Sequence, residues 1–315
     1  MRIIAIEEHC RTGDVEEPRN WGPGAMQERL KLLDDLGERR LSDMDRSGIS
    51  LQVLSQTSPA TEGIEGPQAG RIAREANDRL AEAIAAHPER FAGFAALPTS
   101  DPDAAALELE RAVHVLHFKG AVINGRPQGR FLDDPAFAPI FAQAEALGVP
   151  VYLHPAPPPA AVRQAYYAGL GPAVENALAM AGWGWHIEVG LHALRMILGG
   201  VFERHPRLQV VIGHLGEALP FMLARSDALL TPISGLPRPV REYFGEHFYL
   251  TTSGFFTLPP LLCALMVVGA DRILFAVDYP YSANEQGRAL LDAMPLAPAD
   301  CEKIAHGNAE RLLGL

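Results

Sequence analysis

Short apolar runs alternate with amphipathic helical stretches along the whole chain, and this pattern predicts an α/β fold of the (β/α)₈ barrel type. Two further observations support the prediction. The 315 residues suit one barrel of about 250 residues enlarged by insertions. Ligand-type side chains (Glu7, His9, His154, His214 and Asp278) fall at or near the C-terminal ends of the apolar runs, where a barrel builds its site.

The eight predicted strands are 3–9, 49–57, 91–99, 118–124, 149–155, 208–216, 248–254 and 272–280. Most are near-continuously apolar, as strands buried on both faces should be. The stretch 69–87 places Ile72, Ala76, Leu80 and Ile84 on one helical face, and 101–116, 136–147 and 188–204 read the same way. His87-Pro88 and His205-Pro206 are stop signals. An open doubly wound sheet is the alternative, but no Gly-x-Gly-x-x-Gly follows the first strand. Repeats, low-complexity tracts and linkers are lacking, so a single domain over 1–315 is expected.

Two segments exceed what a barrel needs. Residues 11–39, after the first strand, carry Pro18 and Trp21-Gly22-Pro23-Gly24 before a charged helix. Residues 156–185, after the fifth, are rich in Pro, Ala and Gly and hold Tyr166, Tyr167, Trp183 and Trp185. Insertions at this end of a barrel form lids and substrate walls, or surfaces that pack a dimer.

The formal charge of −11 argues against a nucleic-acid or anionic-membrane partner. Three cysteines without paired or metal-type spacing fit a reducing compartment. The start directly in a strand predicts no signal peptide, and no apolar run reaches the ~18 residues of a membrane span. A cytoplasmic protein is expected.

Residues two apart on a strand share a face, so Glu7 and His9 reach one point while Glu8 points away. Replacing Glu8 is therefore expected to leave that point intact. His154 ends the fifth strand, His214 nearly ends the sixth and Asp278 ends the eighth. A single strand-end histidine is usually a core or loop residue. The set, converging on one mouth, suits one Zn²⁺ or Mn²⁺ with an open coordination position.

Several segments carry a family resemblance: Ala5-Ile6-Glu7-Glu8-His9, Arg40-Leu41-Ser42-Asp43-Met44-Asp45, Gln128-Gly129-Arg130-Phe131-Leu132-Asp133-Asp134-Pro135 and Val151-Tyr152-Leu153-His154-Pro155. Gly213-His214-Leu215-Gly216-Glu217, Thr251-Thr252-Ser253-Gly254, Phe275-Ala276-Val277-Asp278-Tyr279-Pro280 and Gly307-Asn308-Ala309-Glu310-Arg311-Leu312-Leu313 complete it. The chain resembles the amidohydrolase superfamily, in the amidohydrolase-related branch of nonoxidative aromatic acid decarboxylases. That branch includes 2,3-dihydroxybenzoate, γ-resorcylate and 5-carboxyvanillate decarboxylases and, more distantly, aminocarboxymuconate semialdehyde decarboxylase.

The resemblance implies a metal held by Glu7, His9, His154 and Asp278, with His214 as an acid/base group. Glu217, three residues on, is placed to orient His214, or simply opens a helix. Relatives with two metals bridge them by a carboxylated lysine at the fourth strand's tip. Here that tip is Asn124 and Lys119 lies at the other end, so one metal is implied. Asn124 is a candidate substrate contact or a loop-capping residue. Arg225 resembles an arginine that relatives lend to the pocket, in some cases across a subunit interface; otherwise it is a surface charge. A homodimer or homotetramer is implied.

The activity implied is decarboxylation of a hydroxylated aromatic acid by protonation of the ring carbon that bears the carboxylate. Asp278 is the expected acid, its pKa raised among negative partners, with His214 relaying the proton and Trp183, Trp185, Phe255 and Tyr279 as candidate walls. The same centre could activate water to hydrolyse a lactone, amide or ester. A barrel that only binds or scaffolds is the non-enzymatic alternative, and the intact ligand set speaks against it.

Overall fold

A computed structural model describes residues 1–13 and 23–315. Pro18, Trp21 and Gly22 of the first insertion lie outside the described residues. The strands are β1 (Ile4–Cys10), β2 (Leu51–Gln56), β3 (Phe91–Gly93), β4 (Ala95–Ala96), β5 (Ala121–Asn124), β6 (Val151–His154), β7 (Val210–Ile212), β8 (Phe248–Thr251) and β9 (Ile273–Leu274). All pair in parallel, in the orders β1-β2-β3 and β4 to β9.

Backbone hydrogen bonds join the two sheets into the (β/α)₈ barrel. β3 and β4 are one predicted strand interrupted at Phe94, whose N–H donates to Leu54 while that of Ala95 donates to Gly120. On the other side Ile6 N–H reaches Phe275 O at 3.2 Å, Asp278 N–H reaches Glu7 O at 3.0 Å and His9 N–H reaches Tyr279 O at 2.7 Å. The strands are shorter than the apolar runs because the runs also contain the entering and leaving loops. The largest shortfalls are β7, which stops at Ile212, and β9, which keeps two residues.

A core of inward side chains fills the barrel, among them Ile4, Ile6, Leu51, Val53, Phe94, Val122, Tyr152, Val211, Tyr249, Leu274 and Ala276. Alternation along β1 would then point Glu7 outward. It does not, because β1 carries one extra residue between Ala5 and Glu8 relative to β2. This bulge lets Ile6 join the core while Glu7 also turns inward.

Helices cover the barrel at Pro67–Ala86, Pro102–His114, Ala138–Leu147 and Gly184–Leu198, close to the predicted spans. The second insertion is not irregular throughout: it contains helices Ala160–Tyr166 and Pro172–Ala179. Among the described residues no helix is long and apolar enough to cross a membrane.

Candidate metal centre

Glu7, His9, His154 and Asp278 bring one ligand atom each to within 4.8 Å of one another. His9 Nε2 lies 3.1 Å from Asp278 Oδ1, and His154 Nε2 lies 3.6 Å from Glu7 Oε1. With metal–ligand bonds of about 2.0–2.2 Å, the edge of a tetrahedron is roughly 3.4 Å, which these separations bracket. Glu7 Oε1 and His9 Nε2 are buried without a hydrogen-bond partner. Buried polar atoms left unpaired are costly, so two aimed at one point fit a cation between them.

Neighbouring groups fix these atoms. Glu7 Oε2 accepts from Tyr152 Oη and from Thr251 Oγ1 (2.8 Å), which leaves Oε1 facing the centre. Arg40 is completely buried and donates to the His9 carbonyl at 2.6 Å, tying down the end of β1. Burial, with His9 nearby, pushes the His154 pKa down to about 3, so its imidazole is the neutral form a metal takes.

Glu8 does turn away from this point, but it is not idle. Fully buried, it accepts from the backbone N–H groups of Val277 (2.8 Å) and Tyr279 (3.1 Å), one on each side of Asp278. Asp278 has φ +72°, a left-handed conformation unusual for a non-glycine residue, and the Glu8 carboxylate holds the chain in it. Alternation alone leads one to expect that replacing Glu8 leaves the metal point nearly intact; these two bonds give a physical reason to expect a loss instead. Glu8→Ala leaves two buried donors unpaired, at about 1–3 kcal/mol each. It should lower the melting temperature and weaken Mn²⁺ binding by at least about tenfold. Titration of metal-free protein followed by electron paramagnetic resonance checks this; unchanged affinity would show that Asp278 needs no such support.

His214 is not on a strand. After Ile212 the chain makes a turn in which His214, Leu215, Glu217 and Ala218 all have positive φ, between +53° and +63°. His214 Nε2 thereby lies 3.8 Å from Asp278 Oδ2 and 3.9 Å from Glu7 Oε1. Its Nδ1 meets Glu217 Oε1 at 2.7 Å. Gly254 packs against it: a Cβ there would lie 3.2 Å from His214 Cδ2, at φ +64°.

The protonation pattern departs from expectation. Burial raises the Asp278 pKa, but the neighbouring His214 and His9 imidazoles outweigh it and hold the carboxyl below its ordinary range. Burial lowers the His214 pKa, and the Glu217 and Glu7 charges raise it well above normal. Both shifts favour a charged imidazole at His214 beside an ionised Asp278.

A cavity of about 170 Å³ opens on the centre, lined by Thr57, His154, Trp185, His186, His214, Phe255, Asp278 and Tyr281 among others. Of the expected aromatic walls, Trp185 and Phe255 are present. Trp183 is 55 % exposed, and Tyr279 lies under the Arg40 guanidinium at 4.7 Å instead. Tyr281 and His186 are among the lining residues that sequence reasoning missed. Asn124, paired in register with His154, borders an adjoining cavity with Glu62, Arg126 and Glu188 rather than this one. Its Oδ1 is buried and unpartnered. Arg225 is exposed on the helix Leu219–Leu230 and does not line the cavity of its own chain.

The amidohydrolase family model matches residues 21–315. The chain belongs to the amidohydrolase family. This amidohydrolase is 39% identical to gamma-resorcylate decarboxylase of a Rhizobium species over 329 residues, covering 99% of this chain and 98% of that one. It is similar to a crystal structure of 2,6-dihydroxybenzoate decarboxylase complexed with 2,6-dihydroxybenzoate (TM-score 0.92, 38% identity, 100% of both chains). It is also similar to a dihydroxybenzoic acid decarboxylase from Polaromonas sp. JS666 with bound manganese and the inhibitor 2-nitroresorcinol (TM-score 0.91, 37% identity, 100% of this chain and 97% of that one).

Proposed function

We propose that this amidohydrolase is a metal-dependent carboxy-lyase that removes CO₂ from a hydroxylated aromatic acid without oxidation. The observation that carries the reading is His214 Nε2 set 3.8 Å from Asp278 Oδ2, at the edge of a four-ligand cluster and a small, partly aromatic cavity. The cavity is below the ~300–1,000 Å³ of drug-sized sites and suits a single substituted ring.

A divalent ion, Mn²⁺ or Zn²⁺, bound by Glu7, His9, His154 and Asp278 supplies the positive charge that an ionised ortho hydroxyl and a carboxylate oxygen need. Trp185 and Phe255 hold the ring and exclude water. His214 gives its Nε2 proton to Asp278 as an anionic substrate makes a bare carboxylate there less favourable. Asp278 passes that proton to the ring carbon that bears the carboxylate. The carbon–carboxyl bond then breaks, its electron pair stays with the ring, and CO₂ leaves. The test is a screen of ortho-hydroxybenzoates and lactones against Mn²⁺- and Zn²⁺-loaded protein. CO₂ release from at least one hydroxybenzoate is expected, and lactone hydrolysis without any CO₂ would overturn the reading.

The reading includes one barrel domain over 1–315 acting in the cytoplasm, in keeping with three free cysteines. It also includes a homodimer or homotetramer. Phe221 (81 % exposed), Met222 and Leu229 lie beside Arg225 on one helix, an apolar face suited to a second copy. Arg225 is then offered to the neighbouring subunit's substrate. Phe221→Asp should yield a smaller species by light scattering; an unchanged mass would place the interface elsewhere.

A further inference from the structure

His186 is the least expected residue of the cavity. It stands in the first turn of the helix Gly184–Leu198 and comes from a different part of the barrel than the His214 turn. Its Nδ1 lies 2.5 Å from Glu217 Oε2, while Glu217 Oε1 takes His214 Nδ1 at 2.7 Å. One carboxylate is thus gripped by two imidazoles, whose rings meet edge to face at 4.7 Å. His186 Nε2 is engaged as well, 3.2 Å from Trp185 Nε1 and 3.0 Å from Ala181 O. Phe255 packs on both rings, at 5.4 Å and 5.9 Å.

These three side chains form a compact group of ligand-type residues, yet they do not look like a second metal centre. Separations of 2.5 and 2.7 Å are those of charge-assisted hydrogen bonds with a proton between the atoms. Ligands around a cation at about 2.0–2.2 Å stand further apart, as the atoms of the first cluster do.

We propose that His186 is a positioning residue of the reaction, which fixes Glu217 and through it the tautomer and direction of His214. The proposal rests on the role given to His214 above. The terminal torsion of a glutamate is broad, so a carboxylate held by one imidazole can turn about its own axis. Holding the second oxygen removes that freedom. Oε1 then stays on His214 Nδ1, the proton on that nitrogen is fixed, and Nε2 is left facing Asp278.

The backbone makes this support necessary. Four non-glycine residues of the 214–218 turn occupy the left-handed region, which such residues hold only when their surroundings over-determine it. The helix of His186 abuts this turn so closely that a Cβ on Gly190 would come within 2.7 Å of the Glu217 carbonyl oxygen. His186 therefore ties the strained turn to a rigid element at the atom where orientation matters.

The experiment compares His186→Phe, which keeps bulk but has no donor, with His186→Asn, whose side-chain N–H can take the place of Nδ1–H. Both are measured as metal-loaded protein, alone and with Glu217→Ala. His186→Phe should lower kcat roughly 10- to 100-fold, with KM and metal content nearly unchanged. His186→Asn should recover most of that loss. In the Glu217→Ala background His186→Phe should add little, because its effect runs through Glu217. Equal impairment of the two variants, or a full additional effect without Glu217, would show that His186 acts on substrate directly and overturn the proposal. Wild-type kcat in His186→Phe would do the same.

A second readout does not require the protein to be a decarboxylase. In the Zn²⁺-loaded protein the low-field proton resonance of His214 Nδ1–H should move or broaden in His186→Phe and return in His186→Asn. A resonance that stays in place overturns the clamp whatever the chemistry. A resonance that responds in a protein without decarboxylase activity leaves the clamp standing and removes only the assigned reaction.

Discussion

Asp278→Asn should abolish decarboxylation, with kcat reduced by at least about 10³-fold. An amide has no acidic proton to deliver to a ring carbon. Its nitrogen would also turn a donor toward either His9 Nε2 or His214 Nε2, which now face the two carboxylate oxygens. Exchange of ring hydrogen into the phenolic product in D₂O runs the protonation step in reverse and should vanish with it. Metal content must be measured on the same sample, because Asp278 belongs to the ligand cluster. A variant that keeps its metal and has lost both activities identifies the acid. Retained exchange in a metal-loaded variant would move that role to His214.

His154→Ala should bring the bound metal from one divalent ion per chain to well below one while the barrel stays folded. The side chain stands at the tip of β6 and the apolar core lies beneath it. Removing it deletes one of four ligands and leaves Glu7 Oε1 without a neighbour that lies at 3.6 Å in the wild type. Elemental analysis with a thermal melt decides the matter. Nearly stoichiometric metal in a folded variant would make His154 a structural histidine, and two tightly held ions in the wild type would overturn the mononuclear reading.

The sequence made the barrel legible because parallel strands buried on both faces are continuously apolar, and eight such runs leave few architectures. Glu7 and His9 could be paired from alternation across two residues, since the side chains alternate regularly from Glu7 onward. The bulge itself was invisible: it shows only when β1 is set against β2. The mostly apolar run 208–216 reads as one strand through His214, and nothing local announces a turn with four non-glycine residues at positive φ. Alternation tells which face Glu8 leaves but not what it meets, because its partners at 277 and 279 lie about 270 residues away. A histidine on an otherwise apolar helix start, directly after Gly182-Trp183-Gly184-Trp185, was the signal that could have drawn attention to His186.

The extra residue in β1 also bears on how such a chain can vary. On the near side of the bulge, Ile4 and Ile6 are committed to the barrel's filling; on the far side, Glu7 and His9 face the mouth. The irregularity acts as a coupling between two reading frames of one strand, so either half can accept substitutions without the other being re-phased. Deleting one residue there would restore a regular ladder but leave one inward position where Ile6 and Glu7 now hold two. A strand without the bulge would have to choose between a filled barrel and an armed mouth.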